Sequence, residues 1–202
     1  LGEFMPITIL LNEKKSFQEA TSLFFNKPES GLWTRIAAGD FDHDGDTDLI
    51  TGNFGLNAQF RSSEKEPITI TCKDFDHNGS IDPIISYSVK GVSYPFPSRD
   101  DLLDQIYPLR KKFTSYASYA DATLEDIFSA NDLAEATTLR ATDIETSYWE
   151  NTNGKFLKRI LPIEAQFSPV YAISVLDYNN DSNLDFVIAG NQSAIRVRLG
   201  AI

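Results

Sequence analysis

The sequence predicts a mainly β protein whose short strands form repeated sheets in a radial or stacked arrangement, interrupted by a helical insertion. Three observations predict this fold class. Three nine-residue acidic segments share one register, and strand-like runs lie on both sides of each segment. Part of the chain also repeats with a period of roughly 40 residues, which is typical of repeated β architectures.

The composition excludes several classes of protein. With 42% hydrophobic residues, the chain has enough apolar material for a packed core, so we do not expect wholesale disorder. No run approaches the roughly 18 apolar residues of a membrane-spanning helix. A formal charge of −11 disfavours nucleic-acid binding. The single cysteine, Cys72, which we interpret as a buried strand residue, excludes an internal disulfide framework and a cysteine-based zinc cluster.

The negative charge is concentrated in three segments, which we call acidic loops 1, 2 and 3. They span residues 40–48, 74–82 and 177–185 and hold 11 of the 29 acidic residues. Each has Asp or Asn at positions 1, 3, 5 and 9 and an aromatic residue at position 2. Such crowding of like charges is unfavourable without a counter-ion. Oxygen atoms at alternate positions of a short loop suit a hard divalent cation such as Ca²⁺.

Position 6 determines how sharply each loop can turn. Gly45 and Gly79 allow a positive φ there, whereas acidic loop 3 has Ser182. Asn179 also replaces an Asp in that loop, so we expect loop 3 to be the weakest or the most strained site. Because Asp, Asn and Gly are common turn residues, a solvated acidic turn is the alternative to a metal site.

The residues around the loops distinguish them from helix-flanked calcium motifs. An EF-hand needs Glu at position 12 and a helix after it. Position 12 here is Thr51, Ile85 or Ile188. Short β-type runs precede and follow every loop. Each acidic loop is therefore predicted to join two strands.

The self-similarity extends beyond the loops. Asn12 and Phe17 precede loop 1 as Asn151 and Phe156 precede loop 3, five residues apart in both copies. Loops 1 and 2 begin 34 residues apart, but loops 2 and 3 begin 103 residues apart. The longer spacing predicts an insertion between loops 2 and 3.

The insertion carries helix signals. Ser98 and Thr123 are predicted N-caps, because an Asp follows each of them by three residues. Apolar spacing predicts a helix over 109–122 and a last helix that runs through Leu139. The predicted domains are 1–89 with two calcium loops, 90–145 as the helical insertion, and 146–202 with the third loop.

The apolar stripes of the insertion have two interpretations. They are either the face that docks the helices on a sheet or part of a partner-binding cap. The candidate residues for such a cap are Tyr94, Phe96, Arg99 and Asp100.

Two stretches resemble the FG-GAP/VCBS repeats of integrin-type β-propellers. Residues 36–53, which contain acidic loop 1 between two strand-like runs, match the Asp-x-Asp-x-Asp-Gly-x-x-Asp pattern closely, and residues 148–156 look like the outer hairpin of a blade. The insertion is similar to that of secreted bacterial VCBS proteins. The resemblance implies a partial propeller of about three to four four-stranded blades, with up to three Ca²⁺ ions bound in hairpin loops.

The resemblance also implies the ligands of each ion, carried over by position. Site 1 would use the side chains of Asp40, Asp42, Asp44 and Asp48 and the carbonyl of Asp46. Site 2 would use the side chains of Asp74, Asp76, Asn78 and Asp82 and the carbonyl of Ser80. Site 3 would use the side chains of Asp177, Asn179, Asp181 and Asp185 and the carbonyl of Asn183. The family has no shared catalytic residue to carry over.

The number of blades is small for a closed propeller, which usually needs about four to eight. The chain begins and ends with strand-like runs at 7–11 and 195–199. We therefore expect a fragment of a larger propeller, whose open strand edges favour pairing with another copy. The first four residues resemble an expression scar, which would hide a native signal peptide.

Two function classes follow. The first is a binding or scaffold module that holds a protein or a glycan. The alternative is part of a polysaccharide-acting lyase or hydrolase, which needs an acid/base pair that is not used as metal ligands. His43 and His77 are expected to be exposed turn residues, and the candidate acids Asp100, Asp104 and Glu125 have no recognisable partner in the sequence.

The location follows from the calcium hypothesis. Millimolar calcium outside the cytosol fills even weak sites of this kind, and the chain has one cysteine. We expect an extracellular, cell-surface or periplasmic protein.

Overall fold

The computed structural model describes residues 1–190. It confirms a mainly β protein, with 36% of residues in strands and 16% in helices. The chain forms two compact units. Unit 1 combines Leu1–Gln59 with the chain from Asp143 onward, and unit 2 is Phe60–Thr142. The domain boundaries predicted from the sequence motifs, at residues 89/90 and 145/146, stay a prediction. The strand-like run at 195–199 lies outside the described residues.

The elements follow one another in short steps along the chain. The strands are β1 Glu3–Pro6, β2 Leu10–Asn12, β3 Phe17–Glu19, β4 Ser30–Leu32, β5 Arg35–Gly39, β6 Asp48–Gly52, β7 Ile68–Lys73, β8 Asp82–Val89, β9 Val92–Pro95, β10 Thr137–Ala141, β11 Ser147–Thr152, β12 Lys155–Ile160, β13 Ala172–Leu176 and β14 Asp185–Ala189. The α-helices are α1 Thr21–Phe24, α2 Arg99–Gln105, α3 Leu124–Ile127 and α4 Ala130–Glu135, and 3₁₀ turns occupy Tyr107–Lys111 and Ile163–Gln166. None of the helices within residues 1–190 combines the length and the apolarity needed to cross a bilayer.

The main sheet of unit 1 is antiparallel, with strand order β12-β11-β6-β5. Its central pair joins segments that are far apart in sequence, since Ser147 of β11 pairs with Thr51 of β6. The chain therefore leaves this sheet after β6, forms all of unit 2, and returns at β11. Three two-stranded pairs accompany the sheet in unit 1: β1 with β4, β2 with β3, and β13 with β14.

An aromatic core holds the returning strand in place. Phe25, Trp33 and Trp149 are each at most 3% exposed and belong to one cluster with Leu49. The Phe25 and Trp149 rings meet edge to face at 5.4 Å. Trp149 also donates from Nε1 to Thr51 Oγ1 at 2.9 Å, so its buried N–H is satisfied across the β11–β6 pair. Burial of these rings stabilises the sheet. Two of its strands, β5 and β6, precede unit 2 in the sequence, and the other two follow it.

Unit 2 has its own four-stranded antiparallel sheet, of order β10-β7-β8-β9. Ile84 of β8 belongs to one buried cluster with Leu102, Ile106 and Phe113 from the helical segment. The helical excursion thus packs on this sheet, in agreement with the docking interpretation of its apolar stripes.

The capping predictions are confirmed, and the two longer helix predictions are wrong. Ser98 and Thr123 both form capping boxes, with Asp101 and Asp126 as partners. The predicted 109–122 helix is only the short 3₁₀ turn followed by irregular turns.

Local hydrogen bonds explain the missing helix. Ser115 and Ser118 each accept a hydrogen bond from the other's backbone N–H, which competes with helix formation. The last helix begins after Ser129 and ends at Glu135, so it does not reach Leu139. Residues 137–141 instead pair with the edge of β7 as β10, where β-branched Thr137 and Thr138 suit a strand.

Candidate metal centres

Each acidic loop connects two antiparallel neighbours, as the sequence predicts. Loop 1 joins β5 to β6, loop 2 joins β7 to β8, and loop 3 joins β13 to β14. In every case the Asp at position 9 opens the second strand and pairs with the last residue of the first strand. These pairs are Gly39 with Asp48, Lys73 with Asp82, and Leu176 with Asp185.

The carboxylates at positions 1 and 9 shape all three loops in the same way. The backbone N–H of position 6 donates to Oδ2 of position 1, and the N–H of position 2 donates to Oδ2 of position 9. The first set is Gly45 to Asp40 (3.2 Å), Gly79 to Asp74 (2.9 Å) and Ser182 to Asp177 (2.9 Å). The second set is Phe41 to Asp48 (3.0 Å), Phe75 to Asp82 (3.0 Å) and Tyr178 to Asp185 (2.9 Å).

Side-chain oxygens at positions 3 and 5 continue this pattern as Asx-type turns. Position 3 accepts from the N–H of position 5, and position 5 accepts from the N–H of position 7. The distances within loops 1, 2 and 3 are 3.2, 3.2 and 3.0 Å for the first bond, and 3.0, 2.8 and 2.8 Å for the second. Side-chain oxygens of alternate residues are thereby held against the backbone of each loop.

Positions 4 and 6 have left-handed backbone conformations in all three loops. At position 4, φ is 61° for His43, 59° for His77 and 61° for Asn180. At position 6, φ is 92° at Gly45, whereas Ser182 is held at 72°. A residue with a Cβ is disfavoured in this region, so the predicted strain of loop 3 lies at Ser182. Both histidines are exposed, as expected for turn residues.

Carboxylate oxygens converge in loops 1 and 2. One oxygen from each of Asp40, Asp42 and Asp48 lies within 4.8 Å of the others, and the second loop has a corresponding group. That second group is Asp74, Asp76 and Asp82. Since Ca²⁺–oxygen distances are about 2.3–2.6 Å, two ligands on opposite sides of one ion lie roughly 5 Å apart. The spacing therefore fits a single ion of this size.

Loop 1 also contains carboxylate oxygens that lack a partner. Asp40 Oδ1 and Asp46 Oδ1 are buried and accept no hydrogen bond. Buried polar atoms are normally satisfied, because leaving them unpaired costs free energy. A cation inside the loop would provide a ligand interaction for Asp40 and a nearby positive charge for Asp46, so the donor set fits a metal that prefers oxygen.

Asp48 has the most complete set of hydrogen-bond donors among the three position-9 residues. It is fully buried. Besides the Phe41 N–H, it accepts from the Tyr148 hydroxyl at 2.9 Å and from the Asn151 N–H at 2.8 Å. Burial, together with the hydrogen bond to Asp48, raises the pKa of Tyr148, which therefore stays a neutral donor. Sequence reasoning missed Tyr148 and Asn151, because only the β6–β11 pairing places them beside loop 1.

Individual carboxylates in loops 1 and 3 have pKa values that are shifted in opposite directions. Desolvation raises the pKa of Asp42, and repulsion from the neighbouring carboxylates adds to it. The pKa of Asp46 is raised for the same reasons. In loop 3, hydrogen bonds from Asn183 and Asn179 lower the pKa of Asp181. Asp42 and Asp46 therefore resist ionisation, whereas the surroundings of Asp181 favour it.

The aromatic residue at position 2 anchors loops 1 and 2 in their surroundings. In unit 1, Phe41 meets Tyr148 at 5.9 Å and Phe186, which follows loop 3, at 6.0 Å. In unit 2, Phe75 stacks on Phe128 at the end of α3, with ring centroids 3.8 Å apart. This role of position 2 was not predicted, although the recurrence of an aromatic residue there was the available signal.

Loops 1 and 3 are neighbours in unit 1. His43 Nε2 lies 3.0 Å from Asn183 Oδ1. The structure thus brings together two of the three predicted sites, in a way that their separation in sequence does not indicate.

The remaining candidate residues have structural partners or lie on the surface of unit 2. Asp100 forms an ion pair with Arg99 at 2.9 Å, and Asp104 forms one with Arg110 at 2.6 Å. Glu125 is exposed in the first turn of α3. Cys72 is half-buried rather than buried, because it lies near the end of β7 where the strand leaves the core for loop 2.

Comparison with known proteins identifies one part of the chain. The family model described as "FG-GAP repeat" matches residues 32–58, which include β5, acidic loop 1 and β6. Neither the search of curated proteins nor the search of solved structures found a match. Residues 32–58 are therefore similar to an FG-GAP repeat, and loops 2 and 3 share the backbone hydrogen bonds of the loop within it.

Proposed function

We propose that the chain is a calcium-stabilised β-propeller module that serves as a binding scaffold. The observation that carries this proposal is the geometry of the acidic loops. Three loops share one hydrogen-bond pattern, and carboxylate oxygens converge in loops 1 and 2. In loop 1 two buried carboxylate oxygens accept no hydrogen bond from residues 1–190. A hard cation accounts for these features, because it coordinates converging oxygens such as those of Asp40 and its charge offsets the repulsion on Asp46.

The proposed ligand sets follow the predicted positions. Loop 1 would hold Ca²⁺ with Asp40, Asp42, Asp44, Asp48 and the carbonyl of Asp46; loop 2 with Asp74, Asp76, Asn78, Asp82 and the carbonyl of Ser80; loop 3 with Asp177, Asn179, Asp181, Asp185 and the carbonyl of Asn183. Three such ions would change the formal charge from −11 to −5.

An ion in loop 1 would stabilise more than its own hairpin. Asp48 is linked by hydrogen bonds to Tyr148 and Asn151 of β11, the strand that returns after unit 2. Holding Asp48 in place therefore supports the β6–β11 pair as well as the β5–β6 turn. Because the unfolded chain lacks such a site, binding free energy becomes folding free energy.

The propeller part of the proposal is supported by the sheets and by the family match. Unit 1 and unit 2 each contain a four-stranded antiparallel sheet with an acidic loop between two of its strands, as expected for propeller blades. The FG-GAP match at residues 32–58 covers two of the four strands of the unit 1 sheet, β5 and β6. On this proposal the protein is an exported one of the secreted bacterial type, and it presents its surface to a protein or a glycan.

Differential scanning calorimetry tests the calcium role directly. We expect millimolar Ca²⁺ to raise Tm by roughly 5–10 °C relative to protein in EGTA, which corresponds to about 2.7 kcal/mol at a hundredfold excess over Kd. Mg²⁺ at the same concentration should stabilise less, since it demands a smaller octahedral site. An unchanged Tm on chelation would reject the proposal.

A pair of charge-matched variants separates a specific site from general screening. Asp42→Asn with Asp44→Asn removes two carboxylates from loop 1. Glu13→Gln with Glu125→Gln removes the same charge from exposed positions outside the loops. The first variant should lose a large part of the calcium-induced Tm shift, and the second should keep it. Equal losses in both would indicate that Ca²⁺ acts only by screening.

A further inference from the structure

Unit 2 contains a cavity that is separate from its acidic loop. We call it the tyrosine pocket. Its volume is about 350 Å³. It lies between the β8–β9 hairpin and the turn at residues 119–122, and its side chains include Tyr87, Tyr94, Tyr119 and Asp121. A volume near the lower end of the usual range for ligand sites suits a small ligand.

The hairpin wall of the pocket is held by neighbouring aromatic rings. Tyr87 of β8 and Tyr94 of β9 are direct cross-strand partners, so they lie on the same face of the hairpin. The Tyr87 ring also contacts Phe60 and Phe96, each with a centroid distance of 6.1 Å. These contacts fix the Tyr87 ring before any ligand binds.

The opposite wall is fixed by Tyr119. Its hydroxyl donates to the carbonyl of Pro97 at 2.8 Å, and its ring meets Phe113 edge to face at 5.4 Å. Burial raises the pKa of Tyr119 to about 12, so the phenol stays neutral at physiological pH. Ala122, at the end of the turn, is buried in the core of unit 2.

The charge that lines the pocket is negative and comes from Asp121. Asp121 is exposed, and within residues 1–190 its side chain makes no hydrogen bond or ion pair. Within the described part of the chain, the residues that line the pocket include no Lys, Arg or His. Aromatic faces carry a negative quadrupole and attract cations. A carboxylate beside three tyrosines therefore favours a cation over an anion.

The charge of the lining distinguishes a cation from a neutral sugar. The Tyr119 hydroxyl donates to Pro97. Among residues 1–190, Asp121 is the one charged side chain that lines the cavity. A quaternary ammonium group needs no hydrogen bonds, because it binds through its charge and its methyl groups on aromatic faces.

We propose that the tyrosine pocket binds the quaternary ammonium group of a small organic cation, with Tyr87, Tyr94 and Tyr119 as its aromatic walls and Asp121 as its counter-charge. This site lies outside the acidic loops.

Isothermal titration calorimetry on the full chain in saturating Ca²⁺ tests this proposal. The probes are choline and its neutral isostere 3,3-dimethylbutan-1-ol, which replaces the charged nitrogen by carbon. We expect choline to bind with a Kd of about 1–10 mM and the isostere to bind at least about tenfold more weakly. Equal affinity for both would overturn the proposal, as would no heat with choline at about 50 mM.

Variants locate the site and identify the interaction. Asp121→Asn, an exposed substitution that should leave the fold intact, is expected to weaken choline binding by about threefold to tenfold. Tyr94→Leu should weaken it by at least about fivefold, whereas Tyr94→Phe should not, because the ring face rather than the hydroxyl makes the contact.

Two controls complete the experiment. Tyr107→Leu removes a tyrosine that is 71% exposed and lies outside the pocket, and it should have no effect on choline binding. Glucose serves as the sugar probe. Glucose binding that is lost with Tyr94→Leu, or a loss of choline binding with Tyr94→Phe equal to that with Tyr94→Leu, would overturn the ammonium assignment.

Discussion

Acidic loops 1 and 3 have the same pattern of backbone hydrogen bonds, but they differ in the number and burial of their carboxylates. Both have the bonds from position 6 to position 1, from position 2 to position 9, and along positions 3, 5 and 7. Loop 1 has five carboxylates, a glycine at position 6 and a fully buried Asp48. Loop 3 has three carboxylates, a serine at position 6 and a half-buried Asp185.

The shape of these loops and their stabilisation by a cation have different causes. Hydrogen bonds between residues that are close in sequence determine the shape of each loop, because a side-chain oxygen from Asp or Asn can accept them equally well. The number and burial of carboxylates determine how much a cation stabilises the loop. A loop can therefore keep its shape while its metal affinity weakens.

The largest difference is expected at position 9. Asp48→Ala should destabilise the protein by about 3–5 kcal/mol, because it removes a fully buried carboxylate and leaves the half-buried donors of Phe41, Tyr148 and Asn151 unsatisfied. Asp185→Ala should cost about 1 kcal/mol, since that carboxylate is half-buried and accepts from Tyr178. Urea unfolding in EGTA measures both without a contribution from metal. Equal losses would contradict the distinction between the two loops.

The next effect comes from adding a carboxylate to loop 3. Asn179→Asp should raise the calcium-dependent stability by about 1–2 kcal/mol, as an additional charged ligand strengthens the site. In EGTA the same variant should be less stable than the parent chain, because it adds repulsion from Asp177 and Asp181. Melting curves with and without Ca²⁺ give the two signs. A change of the same sign in both buffers would exclude a cation site in loop 3.

Position 6 has a smaller effect. Ser182→Gly should stabilise loop 3 by about 0.5–1 kcal/mol, because Ser182 has φ of 72°. Gly45→Ser should destabilise loop 1 by about 1 kcal/mol for the same reason. A Cβ at Gly45 would have no heavy atom within 4 Å, so any loss comes from the backbone rather than from a clash. Thermal unfolding of the reciprocal pair measures both, and a destabilised Ser182→Gly variant would contradict the strain argument.

The smallest effect is a pH dependence of opposite sign in the two loops of the metal-free protein. The pKa values of Asp42 and Asp46 are raised by folding, so their contribution is present at low pH and is lost as pH rises through the folded pKa. The pKa of Asp181 is lowered, so its contribution is present above the unfolded pKa and is lost as pH falls.

Single Asn variants isolate these contributions. In EGTA between about pH 3 and 6, Tm should fall less steeply with rising pH in Asp42→Asn than in the parent chain. Asp181→Asn should instead flatten the loss with falling pH. The control is Asp104→Asn at an exposed site outside the loops. Slopes that change in the same direction in both loop variants would refute the opposite signs.

In unit 2, the sequence predicted features that depend on neighbouring residues, but it did not predict pairing between distant segments. The capping boxes at Ser98 and Thr123 were predictable because their hydrogen bonds span three residues. The extension of a helix to Leu139 was wrong, because the edge of β7 pairs with that segment and strand pairing overrides a weak helical pattern.

The sequence by itself determined the mainly β class, the strands on both sides of each acidic loop, and the oxygen-rich positions whose hydrogen bonds shape it. These features depend on contacts between residues that are few positions apart. Only the tertiary structure decided that β11 returns to β6, which brings Tyr148 and Asn151 to Asp48, and that Tyr119 lines the same pocket as Tyr87 and Tyr94. Those contacts join distant segments through the burial of aromatic side chains, and no local spacing encodes which segments will meet.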